Sequence, residues 1–157
     1  MTANPTVVIV DDEEMVLTSL RAYLSLETSH NVQIFTEPEK AVEYMQANPI
    51  DAVVSDYMMP RMNGIELLAK AKQFQPEAPR ILLTGHADKQ SAITAINEVG
   101  LFHYLEKPWD NEQLLLIVTN ATERARLFRE LQETLAQLSS ANSSLREVQK
   151  KLLKAFL

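Results

Sequence analysis

Short apolar runs alternate with amphipathic stretches along the chain. Thr6–Val10, Val32–Phe35, Ala52–Ser55, Ile81–Thr84 and Phe102–Leu105 are β-rich and of strand length, and each leads into residues with helical periodicity. Five such units predict a parallel sheet covered by helices on both faces. Between the second and third strands a helix is expected to start at Thr36, Pro38 and Glu39, with Thr36 as cap and Glu39 reaching back, and to stop at Asn48-Pro49. A later helix, Lys89 to Val99, is expected to end on Gly100 in the left-handed conformation.

The last helix is predicted from Asp110 as N-cap, with Gln113 three residues on, and neither proline nor glycine follows before Leu157. From Asn111 onward it would be about 70 Å long, more than a domain of this size can cover. The expected division is therefore a globular domain over 1–125 and a helical extension over 126–157. In that extension Phe128, Leu135, Asn142, Gln149 and Phe156 fall on one heptad position, and Leu131, Leu138, Leu145 and Leu152 on the other. The pattern predicts a coiled coil, hence a homodimer, or an amphipathic helix packed on its own domain or on a further one. Serine and asparagine between Ser139 and Ser144 compete with helical hydrogen bonds and could open a hinge there.

Composition narrows the function. With 157 residues, 46% of them hydrophobic, the chain can bury one core of ordinary size. A net charge of −6, from 21 acidic and 15 basic residues, argues against direct nucleic-acid binding. There is no apolar run of membrane-spanning length and no secretory signal pattern, and the lack of cysteine suits a reducing compartment; a soluble, cytoplasmic protein is expected.

In an open parallel sheet, ligands bind beyond the carboxyl ends of the strands. Asp11 and Asp12 follow the first run, Asp56 the third, Thr84 ends the fourth and Lys107 follows the fifth. Each alone has a plain structural reading: an Asp pair caps a helix and Lys-Pro makes a turn. Together they point to a pocket of converging carboxylates, which repel one another unless a cation compensates. Hard oxygen ligands favour Mg²⁺. Asp12 and Asp56 are expected as direct ligands, Asp11 as a direct or water-mediated one, and the Met58 backbone carbonyl as a further oxygen. Asp56 could then attack phosphorus, with Lys107 and the metal offsetting charge and Thr84 donating to a phosphoryl oxygen. His86 is expected to face solvent, and His30 and His103 to be structural or exposed.

Asp11-Asp12 after a strand, Asp56 followed by Met59-Pro60 and Gly64, Thr84 closing a strand, and Lys107-Pro108 resemble, in order and spacing, the receiver domain of bacterial two-component response regulators. The resemblance covers about Thr6 to Ala125. It implies a doubly wound, flavodoxin-like fold with strand order 2-1-3-4-5, phosphoryl transfer to Asp56 from a histidine kinase or phosphotransfer protein, Mg²⁺ dependence, and a cis peptide at Lys107-Pro108 aiming the lysine into the pocket. It further implies a switch in which Thr84 moves toward the phosphoryl group and Tyr104 rotates inward, altering the face of the fourth helix, fifth strand and fifth helix. Gly85 departs from the alanine common after that threonine. Leu83 to Asp88 and Tyr104 to Asp110 look like the subgroup whose receivers precede HD-GYP cyclic-dinucleotide phosphodiesterases. Two rivals are an aspartyl-phosphate phosphohydrolase, which would carry a second Asp where Met58 stands, and a degenerate receiver serving as a binding platform.

Overall fold

The computed structural model describes residues 4–85 and 88–156. Five strands, β1 (Thr6–Val10), β2 (Asn31–Phe35), β3 (Ala52–Asp56), β4 (Arg80–Thr84) and β5 (His103–Glu106), alternate with α1 (Glu14–Glu27), α2 (Pro38–Ala47), α3 (Gly64–Phe74), α4 (Lys89–Val99) and α5 (Asn111–Phe156). All strand pairs are parallel and the order is β2-β1-β3-β4-β5. This is the doubly wound, flavodoxin-like arrangement with a long C-terminal helix.

Successive residues of each strand enter opposite faces of the sheet. Val7, Ile9, Val54, Ile81 and Leu83 join Leu17, Leu20 and Leu24 of α1 and Leu114, Val118 and Ala121 of α5 in one core. Val8, Val10, Val53 and Leu82 join Ala41 and Met45 of α2 and Leu67, Leu68 and Ala71 of α3 in the other. Both faces are buried, so the strands read as continuous apolar runs without alternation.

The expected elements appear with local shifts. β5 starts one residue later than the apolar run beginning at Phe102, and Asp56 ends β3 rather than following it. Thr36 does not cap α2: Glu37 holds the N-cap position without a side-chain hydrogen bond, and Pro38, whose fixed φ suits a first helical residue, opens the helix. Asn48 ends α2, and Gly100 closes α4 with φ 70°, as expected. Asp110 caps α5 by accepting from the Glu112 backbone N–H at 3.0 Å. No hinge opens at Ser139–Ser144, because the helix runs through it.

The chain divides into two compact units, 1–125 and 126–157. In the second, the leucines of the heptad are exposed, and Arg126 pairs with Glu130 one helical turn on.

Candidate functional site

The parallel register sets β1, β3, β4 and β5 side by side with their carboxyl ends at one edge: Val10 is level with Ser55, Asp56 with Leu83, and Thr84 with Glu106. Because β1 lies between β2 and β3, the chain leaves β1 and β3 toward opposite faces and a crevice opens between their ends. Asp11, Asp12, Asp56, Thr84 and Lys107 all come to this edge.

Asp11 and Asp56 are buried, whereas Asp12 is exposed. Carboxylate oxygens of the three lie within 4.8 Å of one another. Oδ1 of Asp11 accepts the Glu13 backbone N–H at 2.9 Å. Its Oδ2 is buried without a hydrogen bond, and the Lys107 ammonium lies 3.8 Å from it. Nζ of Lys107 stands 2.9 Å from Oδ1 of Asp56. The Lys107-Pro108 peptide is cis, and the Lys107 backbone N–H donates to the Thr84 carbonyl at 2.7 Å.

Burial pushes Asp11 up to about 6, aided by the Asp56 charge and opposed by the Glu13 N–H and Lys107. Burial also raises Asp56, against the hydrogen bond and charge of Lys107. Burial would lower Lys107, but Asp56 and Asp11 outweigh it and hold the ammonium above its ordinary value. The two partners of the Lys107–Asp56 pair thus shift in ways that do not mirror each other. The 2.9 Å contact favours the ionised pair, and the rise at Asp56 comes chiefly from burial of its carboxylate, with the Asp12 charge adding to it. Three carboxylates against one ammonium leave an excess of two negative charges, which together with the orphaned Asp11 oxygen and an all-oxygen donor set fits a divalent hard cation.

Thr84 is buried, and its hydroxyl donates to the Leu105 carbonyl at 3.5 Å, the long limit of a hydrogen bond. Tyr104 is half-buried against the α2–α3 core. The Met58 side chain is exposed. His103 is exposed, with Nδ1 2.7 Å from the Tyr104 carbonyl, and His30 is half-buried, its Nε2 3.4 Å from Thr122 Oγ1 and its pKa lowered by burial. Neither belongs to the pocket. His86 lies outside the described residues.

Three features of the loop after β3 were not read from the sequence. Arg61 takes φ 70°, and the Met62 N–H donates to the Pro60 carbonyl at 2.8 Å around it, forming a γ-turn. Asn63 caps α3 by accepting from the Glu66 N–H at 2.9 Å; the spacing Asn63-x-x-Glu66 was the available signal. A Cβ on Gly64 would lie 2.2 Å from the Asp56 carbonyl oxygen, so only glycine allows α3 to start against the strand end.

Residues 7–119 match the family model of the response regulator receiver domain. The chain belongs to this family. The hydrogenase transcriptional regulatory protein HoxA of Cupriavidus necator is 28% identical over 142 residues, covering 90% of this chain and 29% of that protein. The C4-dicarboxylate transport transcriptional regulatory protein DctD of Rhizobium meliloti is 32% identical over 130 residues, covering 83% of this chain and 28% of that protein. This receiver therefore spans less than a third of the length of either relative. Among solved structures, the signal receiver domain of an HD domain-containing protein from Pseudomonas fluorescens superposes with TM-score 0.74 at 34% identity, covering 79% of this chain and 98% of that one. A structure described as adenylate cyclase from Rhodopirellula baltica gives 0.79 at 26%, covering 85% and 98%. Receivers of this kind act in two-component signalling, and no membrane-crossing helix occurs among the described residues.

Proposed function

We propose that this receiver is a Mg²⁺-dependent phosphoacceptor in which Asp56 is esterified. The observation that carries the reading is the 2.9 Å contact of Lys107 with Asp56 inside a cluster of three carboxylates at the edge of the sheet. An oxygen of Asp56 attacks the phosphorus of a phosphohistidine on a histidine kinase or phosphotransfer protein. The P–N bond breaks and its electron pair returns to the imidazole, which takes up a proton. Asp12 and Asp56, Asp11 directly or through water, and the Met58 carbonyl are the residues that would hold Mg²⁺. When bound, the ion offsets charge on the carboxylates and on the phosphoryl oxygens. Lys107 stays beside Asp56 and neutralises a phosphoryl oxygen there.

The switch rests on Thr84 and Tyr104. The long Thr84–Leu105 hydrogen bond is weak, so its hydroxyl can exchange that carbonyl for a phosphoryl oxygen at little cost. Tyr104 then moves into the space released, changing the face formed by α4, β5 and α5. We read 1–125 as the receiver and 126–157 as an extension that pairs with a second copy and leads to an output, in a cytoplasmic protein. The similar proteins carry transcriptional, adenylate cyclase and HD-domain descriptions, so shared receiver residues do not select among such outputs. Met58, standing where an aspartyl-phosphate hydrolase would carry its second Asp, favours the acceptor over that enzyme.

The test is incubation with acetyl phosphate and Mg²⁺ followed by intact mass. The expected result is one added phosphoryl group in the wild type and none in Asp56→Asn or without Mg²⁺. Rapid multiple turnover of phosphate esters would instead favour the hydrolase, and a wild type with no adduct the binding platform.

A further inference from the structure

We infer that residues 128–152 of α5 pair with the same residues of a second copy as a parallel, in-register, two-stranded coiled coil aligned by Asn142. This deepens the dimer reading above and rests on it. Phe128, Leu131, Leu135, Leu138, Leu145 and Leu152 form the seam, and their exposure runs from 42% at Phe128 to 61% at Leu145. Such a stripe on a helix without a partner leaves its apolar area in water. A standard stable interface buries about 800 Å² per partner, and this stripe of large exposed apolar side chains is the surface that a second copy covers.

The partner and its direction follow from the polar seam positions. Every d position between Leu131 and Leu152 is leucine, while the a positions include Asn142 and Gln149. Antiparallel helices stack a against d, so any antiparallel register across this segment seats both amides on leucine, where their donors and acceptors go unmatched. A parallel pair shifted by one heptad also sets Asn142 against Leu135 on one side. Only the parallel, unshifted pair places Asn142 on Asn142 and Gln149 on Gln149, where each amide can donate to and accept from its twin. A different protein would have to supply matching amides at both layers.

Charge does not oppose this choice. The flanking e positions are Gln132, Ser139, Arg146 and Leu153, and the flanking g positions are Leu127, Thr134, Ala141 and Val148. A parallel pair brings g of one helix to the following e of the other, and no like charges meet there. Lys150, Lys151 and Lys154 lie on the outer b, c and f positions, with Glu147 spaced to pair with Lys150 or Lys151 within its own helix.

The chain contains no cysteine, so single thiols report on direction. Leu131→Cys and Leu152→Cys are each introduced into the full chain and oxidised in a glutathione buffer, with outward-facing Glu133→Cys as control. Sedimentation of the wild type gives the size. The expected result is a dimer in which each seam variant cross-links to itself at least about 10-fold faster than the control, since a disulfide needs Cα atoms within about 7 Å. Having two variants at opposite ends guards against one of them weakening the seam. A dimer in which neither self-links, while Leu131→Cys mixed with Gln149→Cys does, would be antiparallel and overturn the inference. A trimer or tetramer would overturn the two-stranded form. A monomer at all concentrations would remove the dimer reading as well, while leaving the phosphoryl chemistry to its own assay.

Discussion

Nζ of Lys107 lies 2.9 Å from Oδ1 of Asp56, bridging the ends of two strands that are separated in the sheet by β4. A charge-assisted hydrogen bond of this kind contributes about 1.5–3 kcal/mol, and phosphorylation of Asp56 as proposed would place more negative charge beside it than the free carboxylate does. Lys107→Met is therefore expected to slow phosphoryl uptake from acetyl phosphate by about 10- to 100-fold, read as initial rate by intact mass. A rate within twofold of wild type would remove Lys107 from the chemistry.

Metal-free stability should depend on pH through Asp11. The unfolded chain releases this proton near 3.8 and the folded chain near 6, so between those values the folded state holds more protons. Its contribution is fully present below about 4 and is lost as pH rises through about 6, the reverse of the usual carboxylate. In EDTA, the melting temperature of wild type minus that of Asp11→Asn should fall between these pH values. At pH 7, added Mg²⁺ should raise the wild type and not the variant. A flat difference across the window would contradict the burial of this charge.

Gly64→Ala puts a methyl group 2.2 Å from the Asp56 carbonyl and 2.9 Å from Leu82 Cδ1. The first contact is with backbone, so either α3 or the end of β3 must move. Overpacking of this sort costs about 1–3 kcal/mol and here also displaces Asp56. Denaturant unfolding should show that loss together with slower phosphorylation; an unchanged protein would mean the loop yields freely.

Asn63 supplies the side-chain cap of α3. Asn63→Ala should cost about 1 kcal/mol in chemical denaturation, and Asn63→Asp or Asn63→Ser should restore most of it. Equal stability of all four proteins would show that water serves the Glu66 N–H as well as the side chain does.

Local patterns made much of this molecule readable in advance. Strand-length apolar runs, Gly100 and Asp110 each announce an element or its end through short-range sterics and capping. Thr36 misled because proline two positions on is already pre-formed for the first helical turn, which moves the cap to Glu37. Arg61 gave no warning, since a left-handed non-glycine residue is imposed by the turn around it. The two faces of the sheet could not be assigned from Val7 and Val8, because strands buried on both sides carry no alternation.

The order of residues along the chain determined which groups stand at the strand ends and that leucine repeats along the final helix. It did not determine that Asp11 Oδ2 would be buried without a hydrogen bond, that Lys107 would reach Asp56, or that a side chain at position 64 would collide with the carbonyl of Asp56. Those facts depend on which strands pair and in what register. Coulomb energy varies with separation and burial, and groups far apart in the chain acquire both only when the sheet is assembled.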